Sequence, residues 1–335
     1  MQTALVTGAN GFIGSHLSIR LVESGFLVYG LHRRKDSKNP RYNQMVKDGK
    51  IKVIQADITS VNIEDLPKVD YVFHIAGKVS VWGKLKDFQE INCNGTKKLL
   101  EYALLNNVEN FTYLSSVAVY GFYGYKEITE EGQKKPFKNP YSLSKLQTEG
   151  IVKDYAEKTG LNYVIIRPGN VYGEYDYTSS HEIYTRVKKE KMLISAGGKY
   201  ESCFVYVGNL VEAIMHTAFI KEARNTDYNV ADNNDTLKQY LTNVANCFGV
   251  RAKFKNFAKP LAKMVSCFVE GIYKIFFIKK APLITRFSVY QNCEHYSFNI
   301  NKLKKAGYVP KFTTKQGIKN TVEWINILEE KIIKK

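Results

Sequence analysis

The chain reads as an α/β protein: a doubly wound parallel sheet joined to a smaller, intertwined carboxyl-terminal domain. Three observations predict this. Short apolar runs alternate with helical stretches as far as about residue 170, the pattern of parallel strands covered by helices on both faces. A glycine-rich turn, Thr7-Gly8-Ala9-Asn10-Gly11-Phe12-Ile13-Gly14, separates the first run from the first helical stretch. After Gly173 the alternation loosens, and the segments around Phe204–Ala218 and Tyr228–Val230 read as a return to the sheet.

Strands are expected at Thr3–Thr7, Leu27–Leu31, Lys52–Ala56, Tyr71–Ile75, Phe111–Leu114 and Tyr163–Ile166, from their apolar, β-branched and aromatic content. Helices are expected at Phe12–Glu23, Asp87–Leu105 and Pro140–Lys158. The sheet domain therefore takes residues 1–172 with return segments at about 204–231, and a substrate domain takes 173–203 and 232–335. Ligands in such sheets lie at the carboxyl ends of the strands.

Composition narrows the class. At 335 residues, 44% hydrophobic and 24% charged, the chain buries a large core and is not disordered. Five scattered cysteines without a CxxC pair argue for free thiols in a reducing compartment, and against a disulfide framework or a zinc site. The first strand begins almost at Met1, leaving no room for a signal peptide, and no window of about 18 uncharged apolar residues is present. A cytoplasmic protein is expected. The formal charge of +17 fits either a lysine-rich solvated surface or an anionic partner. Nucleic acid is set aside, because no nucleic-acid-binding motif accompanies the charge. Residues 259–280 read as an amphipathic helix, with Lys259, Lys263, Glu270 and Lys274 on one face and Leu261, Val265, Phe268, Ile272 and Ile275 on another. That helix either packs on the core or serves as a hydrophobic lid or cationic contact at the periphery of a membrane.

Gly8, Gly11 and Gly14 supply what a dinucleotide pyrophosphate needs: a tight turn, a bare backbone, and close packing of helix on strand. The flanking strand and helix give the context that three glycines alone lack. The second strand ends Leu31-His32-Arg33-Arg34-Lys35, with no carboxylate before Asp36 to hold a ribose 2′-hydroxyl. Guanidinium groups at Arg33 and Arg34 suit a 2′-phosphate, so NADP is expected, with NAD the alternative. Asp57, just after the third strand, is a candidate partner for the adenine amino group.

Tyr141 and Lys145 stand four residues apart on one helical face. A phenol has an ordinary pKa near 10, whereas a proton-transfer group at neutral pH wants roughly 7, a gap of about 4 kcal/mol. An ammonium at ~4–5 Å in an effective dielectric of ~20 supplies roughly 3–4 kcal/mol. Ser115-Ser116, after the fifth strand, offers a hydroxyl for a substrate oxygen, and Arg167-Pro168-Gly169-Asn170-Val171-Tyr172-Gly173 follows the sixth.

With these segments the chain resembles the extended short-chain dehydrogenase/reductases. The likeness is carried by TGANGFIG at 7–14, Asp57-Ile58-Thr59, His74-Ile75-Ala76-Gly77, Asn92-Cys93-Asn94-Gly95-Thr96, SSVAVYG at 115–121, YSLSK at 141–145 and RPGNVYG at 167–173. The resemblance implies a Rossmann-type fold, often a homodimer, and catalytic roles for Ser116, Tyr141 and Lys145. It implies cofactor contacts from Gly8, Asn10, Gly11, Phe12, Ile13, Gly14, Arg33, Arg34, Asp57, Ile58, Ala76, Gly77, Asn92, Tyr141, Lys145, Pro168, Gly169, Asn170 and Val171.

Three local readings bear on the substrate. Sugar-nucleotide dehydratases of this family carry Asp-Glu directly after the catalytic serine, where this chain has Val117-Ala118. Water elimination then lacks its acid and base. Epimerases grip diphosphate with an arginine where this chain has Ser202. Phe204–Ala213, Ala281–Arg286 and Val79–Gly83 resemble the 3β-hydroxysteroid dehydrogenase branch, including 2-alkyl-3-oxoalkanoate reductases and sterol-carboxylate 3-dehydrogenases. The expectation is an NADP-dependent oxidoreductase on a small hydrophobic alcohol or ketone, sterol or long-chain β-keto acid in type. The alternatives are a nucleotide-sugar 4-epimerase or 4-ketoreductase, and a non-catalytic dinucleotide sensor.

Overall fold

A computed structural model describes residues 1–333. Its centre is a seven-stranded sheet, every strand parallel, in the order β10-β6-β5-β4-β1-β2-β3. The strands are β1 (Thr3–Thr7), β2 (Leu27–His32), β3 (Ile51–Gln55), β4 (Tyr71–His74), β5 (Asn110–Leu114), β6 (Tyr163–Pro168) and β10 (Thr226–Val230). β1 and β4–β6 are buried almost throughout, as strands covered on both faces must be. The order reverses between β1 and β4, which opens a crevice at their carboxyl ends.

Helix α1 spans Phe12–Glu23, the bounds expected from the sequence, and α2 (Pro40–Lys47) starts on the Asn39 cap. Helix α5 (Pro140–Thr159) also matches. Its Asn139 carboxamide accepts from Ser142 N–H at 2.8 Å, Pro140 occupies the first turn, and left-handed Gly160 ends it. The expected helix at 87–105 is interrupted. Helix α3 (Leu85–Phe88) leads into a π turn, Gln89–Asn94, before α4 (Gly95–Leu105). Such a turn marks many functional sites, and here it contains Asn92.

The returning chain divides its work. β9 (Phe204–Tyr206) pairs with β7 (Asn170–Tyr172) outside the main sheet, and α7 (Val207–Phe219) packs against α1 and the sheet before β10 joins the edge. The remaining region contains α6 (Ser180–Lys188), β8 (Met192–Ser195), α8 (Leu237–Phe248), β11 (Phe254–Phe257), α9 (Lys259–Ile275), α10 (Arg286–Cys293), α11 (Asn301–Lys305) and α12 (Thr314–Ile333), with β8 and β11 paired. Its own core joins Tyr184, Tyr240, Leu241, Val244, Ile318 and Ile325. None of the described helices is long and apolar enough to cross a membrane.

Candidate active site

A cleft of ≈ 770 Å³ runs along the carboxyl ends of the central strands. Gly8 turns with φ +65°, and a Cβ on it would meet the Ala76 backbone at 3.0 Å. A Cβ on Gly14 would lie 2.1 Å from the Gly8 carbonyl oxygen. The turn tolerates no side chain at either place, and α1 begins directly behind it. Backbone N–H groups at a helix start, facing a cleft, fit the pyrophosphate of a dinucleotide. Of the cofactor residues expected from the sequence, all but Asn92 line this cleft.

Asn92 stands apart from the others. It is buried behind the cleft wall, where its amide donates to Ser144 Oγ (2.8 Å) and its carbonyl accepts from Lys78 N–H (2.7 Å). It positions the Gly77-Lys78 backbone and does not itself face the cavity. A Cβ on Gly77 would crowd both Asn92 Oδ1 (3.3 Å) and Lys145 Nζ (3.4 Å).

At the adenosine end, Arg33 and Arg34 lie at the rim. Asn10 ties their loop to the glycine turn, donating to the Arg34 and Asp36 carbonyls at 2.9 and 3.1 Å. Asp57 is already engaged, accepting from Thr59 N–H and Oγ1 (3.0 and 2.9 Å) and from Arg33 Nη1 (3.3 Å). Its remaining lone pairs are those open to an adenine.

Ser116, Tyr141 and Lys145 converge on the same cleft. Ser116 follows β5 and caps the short turn of helix 117–120, accepting from Ala118 N–H at 3.2 Å. Burial raises the Tyr141 pKa, and the adjacent Ser116 hydroxyl draws it partly back. The Lys145 ammonium donates to the Leu114 carbonyl at 2.6 Å and lies over the Tyr113 ring at 4.8 Å. Burial brings its own pKa down to about 8. The phenol therefore stays protonated at neutral pH and is set as a donor.

His74 forms a floor beneath this site. Ala76 N–H donates to Thr7 Oγ1, so the Thr7 hydroxyl hydrogen is free for His74 Nδ1 at 2.8 Å. Thr96 gives its own hydrogen to the Asn92 carbonyl, so His74 Nε2–H donates to Thr96 at 2.9 Å. One neutral tautomer satisfies every partner. Burial, with help from the Lys145 charge, depresses the ring to about 3. A histidine depressed below its ordinary 6.5 contributes stability that is complete above that pH and is lost as pH falls toward 3. Urea unfolding of wild type against His74→Asn should show the variant's pH dependence shallower by about one proton, roughly 1.4 kcal/mol per pH unit, between pH 6 and 4. Equal slopes would mean that His74 protonates as readily folded as unfolded.

At the far end of the cleft the sequence offered residues 79–81 and 118 but not Phe287, Gln291 or Tyr296. Val79, Ser80, Val81, Ala118, Phe287 and Tyr296 line it, with Gln291 donating to Asn170 Oδ1 at 2.7 Å. The lining carboxylates are Asp57 and Asp176. Asp176 is taken up by Thr178, Ser179 and Ser180 ahead of α6. Val117 and Ala118 are buried where an acid–base pair would stand, and Ser202 is buried outside the lining.

The model of the NAD dependent epimerase/dehydratase family matches residues 4–231. The chain belongs to this family. Membership makes it an NAD(P)-dependent enzyme, in agreement with the glycine cradle. It is similar to the dTDP-D-glucose 4,6-dehydratase of Mus musculus, 28% identical over 96% of this chain and 88% of that protein. It is also similar to the N-acetyl-alpha-D-glucosaminyl-diphospho-ditrans,octacis-undecaprenol 4-epimerase of Escherichia coli O157:H7, 26% identical over 96% and 95%. The fold matches the UDP-glucose 4-epimerase of Thermotoga maritima with UDP-glucose, at TM-score 0.78 and 23% identity over 98% and 100% of the two chains. None of these three is a hydroxysteroid dehydrogenase. Two of the segments that suggested that branch, Phe204–Ala213 and Ala281–Arg286, do general structural work. Asn209 bonds Asp232 (2.8 Å) and the Phe312 backbone (2.8 and 2.9 Å), and Thr285 caps α10. They hold the fold and say little of the substrate.

Proposed function

We propose that the enzyme oxidises or reduces one secondary-alcohol or ketone carbon of a diphosphate-linked sugar without eliminating water, as a 4-epimerase or 4-ketoreductase. The observation that supports this is the cleft itself: Ser116, Tyr141 and Lys145 together, with Val117 and Ala118 where elimination would need carboxylates. The sugar diphosphate class rests on what the relatives' names state. A dinucleotide held by the glycine turn would supply the hydride acceptor or donor. Tyr141 gives or takes the hydroxyl proton, Ser116 orients the oxygen, and Lys145, held by the Leu114 carbonyl, keeps a positive charge beneath the site. The hydrophobic-substrate reading keeps one observation in its favour, the apolar wall of Val79, Val81, Ala118 and Phe287.

For the cofactor we infer NADP. Arg34 has no carboxylate partner among the described residues, Arg33 is held loosely by an exposed Asp57 pair, and no acid ends β2. A spectrophotometric panel decides both points. Nucleotide sugars, polyprenyl-diphosphate sugars, sterols and β-keto acids are offered with NADH and NADPH, and epimers are read by chromatography. Turnover of a sugar diphosphate alone supports the proposal, whereas turnover confined to sterols or β-keto acids overturns it. Arg33→Ala/Arg34→Ala should weaken NADPH at least about ten-fold more than NADH, and equal losses would reject NADP.

A further inference from the structure

The sequence places a charged face and an apolar face on α9, and the structure sets them opposite to the usual sense. The charged and small side chains face the protein. Lys259 and Lys263 both bond Glu294, at 3.0 and 2.9 Å. Glu270 is buried, accepts from Arg286 N–H at 2.6 Å and pairs with its guanidinium at 3.2 Å, and Ala262 and Ser266 are buried on the same side. The apolar face is left outside. Leu261, Met264, Phe268 and Ile275 form one stripe at helical spacing, and Phe276, Phe277, Ile278 and Leu283 continue it. Phe268 is 70% exposed, Phe277 87% and Leu283 93%. A contiguous apolar surface of this kind marks an interaction site.

Charge selects the occupant. Lys279 and Lys280 are exposed beside the aromatic end of the stripe with no acidic partner among the described residues, and the exposed Lys274 reaches Glu270 only at 3.9 Å. A second copy docking through this face about a two-fold axis would set these cations against themselves. An anionic bilayer meets both needs: acyl chains for the stripe, acidic headgroups for the lysines. We propose that this face, α9 with residues 276–283, docks the enzyme on an anionic membrane surface.

The face also adjoins the cleft. Trp82 Nε1–H donates to the Ile278 carbonyl at 3.0 Å and its ring meets Tyr273 edge-on at 6.1 Å. The preceding residues, Lys78–Val81, line the cleft. A docked enzyme thus turns the mouth of its site toward the lipid, where an amphiphilic substrate resides. Docking does not depend on which substrate is turned over.

The test is sedimentation of the full chain with vesicles of phosphatidylcholine alone, or with about a third phosphatidylglycerol, at low and high salt. Binding to the anionic vesicles should exceed binding to the neutral ones by at least about ten-fold and fall in high salt. Phe268→Ser/Phe277→Ser and Lys279→Glu/Lys280→Glu should each reduce it about ten-fold or more while leaving thermal unfolding unchanged, because all four side chains are exposed. Trp82 fluorescence should shift to the blue on binding, and Trp82→Phe should remove the shift, the other tryptophan, Trp324, being buried away from this face. Failure to sediment with either vesicle overturns the proposal. So does undiminished binding by both double variants, or loss of self-association by Phe268→Ser/Phe277→Ser with vesicle binding intact, which would make the face a protein interface.

Discussion

Tyr141→Phe should lower kcat by about a thousand-fold or more while leaving dinucleotide affinity within about two-fold. The ring is partly buried and packs against its neighbours, so the phenylalanine keeps the packing and removes only the hydroxyl. That hydroxyl pairs with the Ser116 side chain. Positioned acid–base groups contribute roughly 10²–10⁴-fold, and loss of both the donor and the orientation it shares with Ser116 lies in the upper part of that range. The cradle of Gly8, Gly11 and Gly14 is separate from the phenol, so binding should survive. Cofactor titration by fluorescence and single-turnover hydride transfer measure the two quantities independently. A variant that turns over at the wild-type rate removes Tyr141 from the chemistry.

The direction of the phenol shift adds a condition. Burial raises its pKa, which keeps the ring in the neutral, proton-bearing form that reduction of a ketone requires. Proton removal from an alcohol needs the phenolate, and the Lys145 ammonium is turned toward the Leu114 carbonyl in this arrangement. An epimerase must do both in one cycle. Pre-steady-state oxidation should therefore accelerate with rising pH more steeply than reduction does, because only the oxidative half needs the deprotonated ring.

How much of this was legible in the sequence depended on how local each cause was. The Gly8–Gly14 turn and α1 were readable because the residues that require each other lie within a few positions. Helix α5 was readable because its cap, Asn139-Pro140, and its terminator, Gly160, stand at its own ends. The π turn at Gln89–Asn94 was not. Its side chains have ordinary helical spacing, and the register shift is supported by Asn92 bonding to Lys78 and Ser144, which are remote from it in sequence. The lean of Lys145 toward Leu114 was equally hidden, since a four-residue spacing places the two side chains on one face without saying which acceptor the amine will choose. The orientation of α9 was decided by Glu294 and Arg286, beyond the helix itself. The apolar end of the cleft is assembled from residues 79–81, 118 and 287–296, segments that no local pattern joins.

The second large effect is expected at Arg167, which the sequence offered only as the first residue of the RPGNVYG run. Its side chain is 0% exposed. Nε and Nη2 donate to the two carboxylate oxygens of Glu149 at 2.8 Å each, Nη1 donates to the Tyr120 hydroxyl at 2.8 Å, and Nη2 also pairs with Asp227, which Lys153 holds at 2.8 Å. Burial works against the charge, and the Glu149 carboxylate overrides it, so the guanidinium remains protonated. Arg167→Leu should destabilise the fold by about 3–5 kcal/mol, because Glu149 is left charged in the interior without its partner. That is a large share of the roughly 5–15 kcal/mol available to a folded domain. If the cost is the orphaned carboxylate and not lost packing, Arg167→Leu/Glu149→Leu should recover part of it, which urea unfolding of the two variants would show. A double variant no more stable than Arg167→Leu would place the cost in packing. The consequence reaches the site from two directions. Pro168 to Val171 line the cleft directly after Arg167 on β6 and β7, and Glu149 lies one turn beyond Lys145 on α5. The ion pair thus ties the strand that walls the cleft to the helix that bears the proton donor, and loosening it should cost turnover even where the chain still folds.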